Sequence, residues 1–201
     1  YDNCVANKVV NDKQCTILWH VDDLKISHVE ENVIEDVISM LNERYGQLDE
    51  ITVTRGNVHD YLGMTIDYSV PGKVSFKMHE YVQKMLDECP EYLGGGGAST
   101  PASTKLFEVD DSAEQLNDTM ADEFHHMVAQ LLFLSKRARP DLQTAVAYYL
   151  TTRVTAPDVN GLNKLGRVMK YLRATKDLYL TLTAGNLHVL NWWVDVSFAV
   201  H

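Results

Sequence analysis

The sequence predicts an α+β fold, with paired strands and helices segregated along the chain rather than alternating. Three observations carry this. Residues 4–27 and 60–78 show β-favouring runs separated by turn residues. Residues 119–173 show three segments of helical periodicity punctuated by Pro140 and Pro157. The composition, 45% hydrophobic and 23% charged over 201 residues, is that of a globular chain able to bury a core.

Taken in order, Cys4–Val10 reads as a strand, Asn11-Asp12-Lys13-Gln14 as a turn, and Cys15–Val21 and Leu24–Ser27 as strands flanking Asp22-Asp23. From Asn32 to Tyr45, Val33, Ile34, Val37, Ile38, Leu41 and Tyr45 fall on one helical stripe, with Gly46 at the C-terminal cap. Ile51–Thr54 is expected as a short strand. Asp60–Ser69 and Lys73–Met78 form an expected hairpin around Val70-Pro71-Gly72-Lys73, where Pro then Gly suits a type II turn. Glu80–Glu88 reads as a short helix.

Four glycines (Gly94–Gly97), STPAST and an acidic run then mark a connector. The expected organisation is therefore 1–92, a flexible linker over 93–117, a helical region over 118–176, and a final hairpin over 177–201. The helical region is expected as Thr119–Arg137, Asp141–Thr152 and Asp158–Arg173, with Asp141 and Asp158 in the N-terminal turns. Leu178–Thr183 and Leu187–Val196 are the expected closing hairpin. The sequence stops at His201 directly after that strand, so a cut fragment is expected.

Bulk properties exclude several classes. No apolar run reaches a membrane span, and no basic-then-apolar leader stands at the start, so no membrane partner and an intracellular setting are expected. Cys4, Cys15 and Cys89 lack CxxC spacing, which argues against a disulfide framework or a zinc site. The net charge of −10 is unevenly spread: nine Lys/Arg stand against two acidic residues between Phe124 and Lys176, a local +7 against −17 elsewhere. Such asymmetry points to a polyanion-facing surface or to solvated helix faces.

The chemistry-bearing feature is Asp22-Asp23. Adjacent carboxylates repel unless neutralised and are poor strand residues. A turn carrying two of them suits a hard divalent cation such as magnesium, which binds through one or two carboxylates plus substrate phosphates; an exposed hairpin turn is the alternative. His125 and His126 are helical neighbours that face different ways, so ordinary helix histidines are expected.

Five pieces, in order, carry a resemblance. HVDDLKIS (His20–Ser27) resembles the YVDD box of reverse transcriptases. YLGMTIDY (Tyr61–Tyr68) resembles the "FLG" primer-grip strand of copia-type (Pseudoviridae) retrotransposon polymerases. Phe124–Tyr149, with SKRARPDLQTAVAYY, resembles their VGSLLYL…TRPDI…AV segment, and LNKLGRVMKYLRATKDLYLTL (Leu162–Leu182) their KRILRYLKGT segment. VDVSFAVH (Val194–His201) resembles the DADWAG strand that opens an RNase H domain. His20 stands where the family has an aromatic residue before Val-Asp-Asp, Ala138 where it has Thr, and Ala129 where it has Gly.

The resemblance implies a partial palm, a helical thumb and connection, and the start of an RNase H-like sheet, all from a transposable-element polyprotein that copies RNA into DNA for integration. It implies RNA-directed DNA polymerase chemistry, transfer of a nucleotide to a primer 3′ hydroxyl. Asp22 and Asp23 would be the catalytic metal ligands and Asp195 the first RNase H ligand, with Mg²⁺ or Mn²⁺ as cofactor. Tyr61, Leu62, Gly63 and Met64 would grip the primer, the alternative for Leu62 and Met64 being a buried strand. Lys136, Arg137, Arg139, Lys164, Arg167, Lys170 and Arg173 would contact nucleic-acid phosphates, with a solvated surface as the alternative. Expected partners are an RNA template, a DNA primer, deoxynucleoside triphosphates and other parts of the polyprotein, in cytoplasmic virus-like particles. A third palm carboxylate and the fingers are not in this sequence, so the fragment alone is expected to be inactive. The second reading is a catalytically dead nucleic-acid-binding or assembly module, and the third an unrelated acidic α+β domain.

Overall fold

A computed structural model describes residues 2–47, 51–93, 95–185 and 189. The chain is mixed α/β with two antiparallel sheets. The first sheet runs β1 (Val5–Val10), β2 (Lys13–His20), β3 (Asp23–Ser27), followed by α1 (Glu31–Tyr45). The second comprises β4 (Val58–Tyr61), β5 (Met64–Asp67), β6 (Lys73–Lys77) and β7 (Leu180–Thr183) in that order. Between β6 and β7 lie α2 (His79–Asp87), α3 (Asp118–Ser135), α4 (Gln143–Ala147) and α5 (Val159–Ala174).

Turn chemistry sets the first sheet. Asn11 (φ 51°) and Asp12 (φ 59°) are both left-handed, a conformation these residues tolerate, and they close a two-residue hairpin on the Val10–Lys13 pair. Lys13 and Gln14, expected in that turn, therefore belong to β2. At the Pro71-Gly72 corner, Lys73 N–H donates to the Val70 carbonyl (3.0 Å) and Gly72 has φ 74°, the expected type II turn.

Asp60–Ser69 is not one strand. Leu62 (φ 53°) and Gly63 (φ 75°) form a second two-residue hairpin that splits it into β4 and β5, because Gly63 permits the left-handed turn that strand alternation alone hides. Ile51–Thr54 has no strand partner among the described residues.

The expected helix over Asp141–Thr152 is broken into a 3₁₀ turn (Pro140–Leu142), α4 and a second 3₁₀ turn (Leu150–Arg153). Tyr149 leaves helical geometry (φ −122°, ψ −65°), and the Thr151 and Thr152 hydroxyls donate to the Ala147 and Tyr149 carbonyls, competing with the helical ladder. α3 and α5 begin on side-chain caps: Asn117 accepts from Met120 N–H, and Asp158 from Gly161 N–H at 2.6 Å.

The main core lies among α2, α3, α4 and α5, with Phe124, Leu131, Leu165 and Leu172 fully buried. Residues 93–117 do not behave as a free linker. Leu93 and Leu106 are buried in this core, Ala98 N–H donates to the Lys170 carbonyl, and Leu116 N–H donates to the Pro157 carbonyl. Gly97 packs closely here, since a Cβ on it would meet Ala174 Cβ at 3.1 Å, whereas Gly95 and Gly96 face open space.

β7 pairs with β6, from Lys73–Thr183 to Phe76–Leu180, so residues 180–183 complete the sheet of β4–β6 rather than opening one of their own. Its expected partner strand, Leu187–Val196, lies outside the described residues apart from Val189. Among the described residues, no helix is long and apolar enough to cross a membrane.

Candidate metal-binding turn and its surroundings

The last pair of the β2–β3 ladder is His20–Asp23, which leaves Val21-Asp22 as a two-residue turn and places Asp23 at the first position of β3. Both carboxylates are exposed, and neither makes a salt bridge among the described residues. Val21 is 90% exposed and has φ 55°. A β-branched residue in that region is held at a cost on the order of 1–3 kcal/mol. The two strands impose this conformation, and with it the projection of the acidic pair into solvent.

The second sheet approaches this tip. Tyr61 is half-buried, and its phenol is pushed above its ordinary value by burial first, then by the Asp23 carboxylate and by Cys4. Lys25 Nζ sits 5.2 Å from the centroid of the Tyr68 ring, a second contact between the sheets. Tyr61 is thus the expected grip residue that comes near the acidic pair. Leu62 and Gly63 make the β4–β5 turn, Gly63 facing Phe133 of α3, and Met64 packs half-buried against the main core.

Asp22 and Asp23 are hard oxygen donors on consecutive residues with open solvent around them, a donor set that fits magnesium or manganese completed by water. Among the described residues no third His, Cys, Asp or Glu joins them. Asp195 lies outside the described residues.

The seven expected phosphate contacts divide. Arg139 is 1% exposed and does not reach the surface. Its guanidinium donates to both Asp141 oxygens (3.0 and 2.8 Å), to the Thr175 carbonyl (2.9 Å) and to Thr175 Oγ1 (2.8 Å). It also lies 5.6 Å from the Tyr171 ring centroid. RARPDL and YLRATKD are therefore joined by a buried guanidinium, since a planar five-donor fork satisfies a carboxylate and a helix C-terminal carbonyl together.

Lys164 Nζ is tied to the Glu108 carbonyl (2.5 Å) and the Tyr149 hydroxyl (2.8 Å), and Arg167 to Thr100 Oγ1 (2.9 Å). Arg173 lies against Cys89, whose thiol burial raises and Arg173 pulls back down. Arg137 stacks 3.6 Å from the Phe133 ring centroid and remains half-exposed with Lys170, while Lys136 is open. His125 and His126 are exposed on α3.

Sequence reading gave no sign of the cavity between α5 and residues 101–114, because its two walls are far apart in sequence. The spacing of the RPDL and YLRAT pieces was the available signal for the Arg139 linkage. Comparison with protein-family models, with curated proteins and with solved structures finds no match.

Proposed function

We propose that this chain is part of a copia-type RNA-directed DNA polymerase, the part that carries the acidic turn of the palm. The observation that supports this best is the solvent-open Asp22-Asp23 pair on a strained hairpin turn, with Tyr61 alongside. Asp22 and Asp23 would hold the divalent cation, and bound magnesium would supply charge neutralisation at the triphosphate. The β2–β3 ladder keeps the carboxylates from collapsing onto the protein. Lys136, Arg137 and Lys170 are the residues left to meet a nucleic-acid backbone without base selectivity. Asp195 stays, by resemblance, the first ligand of an RNase H site.

The test is primer extension by a longer polyprotein carrying this segment. Asp22→Asn should lower the rate on the order of 10³-fold or more, the several kcal/mol that metal-assisted charge stabilisation contributes. An unchanged rate removes Asp22 from the reaction. The alternative reading is an inactive nucleic-acid-binding remnant. That reading wins if the unsubstituted longer protein binds primer–template but does not extend it.

A further inference from the structure

We propose that the cavity between residues 101–114 and α5 binds a ribonucleoside monophosphate. The cavity measures about 540 Å³, within the roughly 300–1,000 Å³ of small-ligand sites. Its helix wall presents Asn160, Asn163, Lys164 and Arg167, spaced i, i+3, i+4, i+7 and therefore on one face of α5. Leu106 and Glu114 belong to the facing wall.

The donors on the helix wall are only partly used. Arg167 gives one terminal nitrogen to Thr100, while its Nε is buried with no hydrogen-bond partner. Lys164 Nζ uses two of its three donors, on the Glu108 carbonyl and the Tyr149 hydroxyl. The second terminal nitrogen of Arg167, without a hydrogen-bond partner among the described residues, and an ammonium with a donor to spare on the same cavity wall suit an anion with several acceptor oxygens, and a phosphate supplies them.

A bare phosphate would leave the rest of the cavity unmatched. Asn160 and Asn163 bring two carboxamides, each both donor and acceptor, and among the described residues neither has a hydrogen-bond partner. Such groups pair with the polar edge of a nucleobase. Asp110 Oδ1 accepts from the Ser112 N–H (3.0 Å) and hydroxyl (2.6 Å), which leaves its Oδ2 and the Glu114 carboxylate as acidic acceptors for a ligand. Such carboxylates suit vicinal ribose hydroxyls, as acidic residues do in dinucleotide sites. Cations for phosphate, a carboxylate for ribose and carboxamides for the base make a three-part match.

The test is titration calorimetry of the 201-residue chain with the four ribonucleoside monophosphates, the matching 2′-deoxynucleotides and inorganic phosphate. At least one ribonucleotide should bind saturably. Its deoxy counterpart should bind roughly tenfold more weakly, the effect of one lost hydrogen bond to a charged group, and inorganic phosphate more weakly still. Asn163→Leu, at an exposed position, and Arg167→Lys, which keeps the charge but removes the buried Nε, should each weaken binding by roughly tenfold. No saturable heat from any monophosphate overturns the proposal. So does equal affinity for ribonucleotide, deoxynucleotide and phosphate, or affinity unchanged in both variants. Asp22→Asn should leave these affinities unchanged, so this site and the acidic turn stand or fall separately.

Discussion

Replacing Arg139 with Met should destabilise the chain without acting first on nucleic-acid binding. The guanidinium is almost wholly buried and holds Asp141 and Thr175 together. Its removal takes the guanidinium donors from the Asp141 carboxylate and the Thr175 carbonyl, leaving Tyr171 on the first and Leu178 N–H on the second, while Met refills much of the volume. Breaking a buried ion pair costs about 3–5 kcal/mol. The Asp141 side chain is 33% exposed, so water takes over part of the lost interaction, which places the cost near the lower bound, about 3 kcal/mol. For a chain of 201 residues that is a fall of about 6–12 °C in Tm. Arg139→Lys keeps the charge but loses the fork, and should cost about 2 kcal/mol. Thermal and urea unfolding followed by circular dichroism measure both. An unchanged Tm for Arg139→Met, together with lost affinity for DNA, would refute the buried linkage and return Arg139 to the surface.

Three further outcomes follow from the geometry. In NMR of ¹³C-tyrosine-labelled protein, Tyr61 should titrate above the ordinary tyrosine value, and Asp23→Asn should bring it down; no response to Asp23→Asn would separate the two sheets at this point. Stability should fall as the solution is acidified. Burial alone would raise the Asp141 carboxyl, but the hydrogen bonds and charge of Arg139 prevail and lower it, while Lys77 and Ser69 lower Asp67. These carboxylates stabilise the fold fully above the ordinary carboxylate value, about 4, and the contribution is lost as pH drops through their lower folded values. Asp141→Asn should flatten the fall of Tm below the ordinary carboxylate value, about 4, and an equally steep loss in that variant would rule Asp141 out. Duplex DNA binding should be weak, with a log–log salt slope of about −2 to −3, because three of the seven expected contacts, Lys136, Arg137 and Lys170, stay open to phosphates. A slope near zero, or near −6, would contradict that count.

Features set by short-range chemistry were legible in the sequence. The Pro71-Gly72 turn and α1 depend on neighbouring residues and lie where expected, and the acidic hairpin forms one residue early, on Val21-Asp22 with Asp23 opening β3. What escaped depended on partners distant in sequence or on backbone signs. Residues 93–117 read as a connector because few are apolar, yet Leu93 and Leu106 suffice to bind them to the core. Arg139 read as a phosphate contact because charge is normally external, and only Thr175, 36 residues away, reveals its buried role. The Leu62-Gly63 turn was hidden by alternation that runs unbroken across it, and β7 pairs with β6, a strand about a hundred residues earlier that local pattern does not reveal.

In the proposed function, Asp22 and Asp23 together hold a divalent cation. Paramagnetic broadening of amide NMR signals by Mn²⁺ tests it most directly in the 201-residue chain. Broadening should appear first at Val21–Leu24 and reach Tyr61, and should vanish from these residues in the Asp22→Asn, Asp23→Asn double variant while the spectrum elsewhere is retained. Broadening that leaves the β2–β3 turn untouched, or that persists there in the double variant, would contradict the assignment.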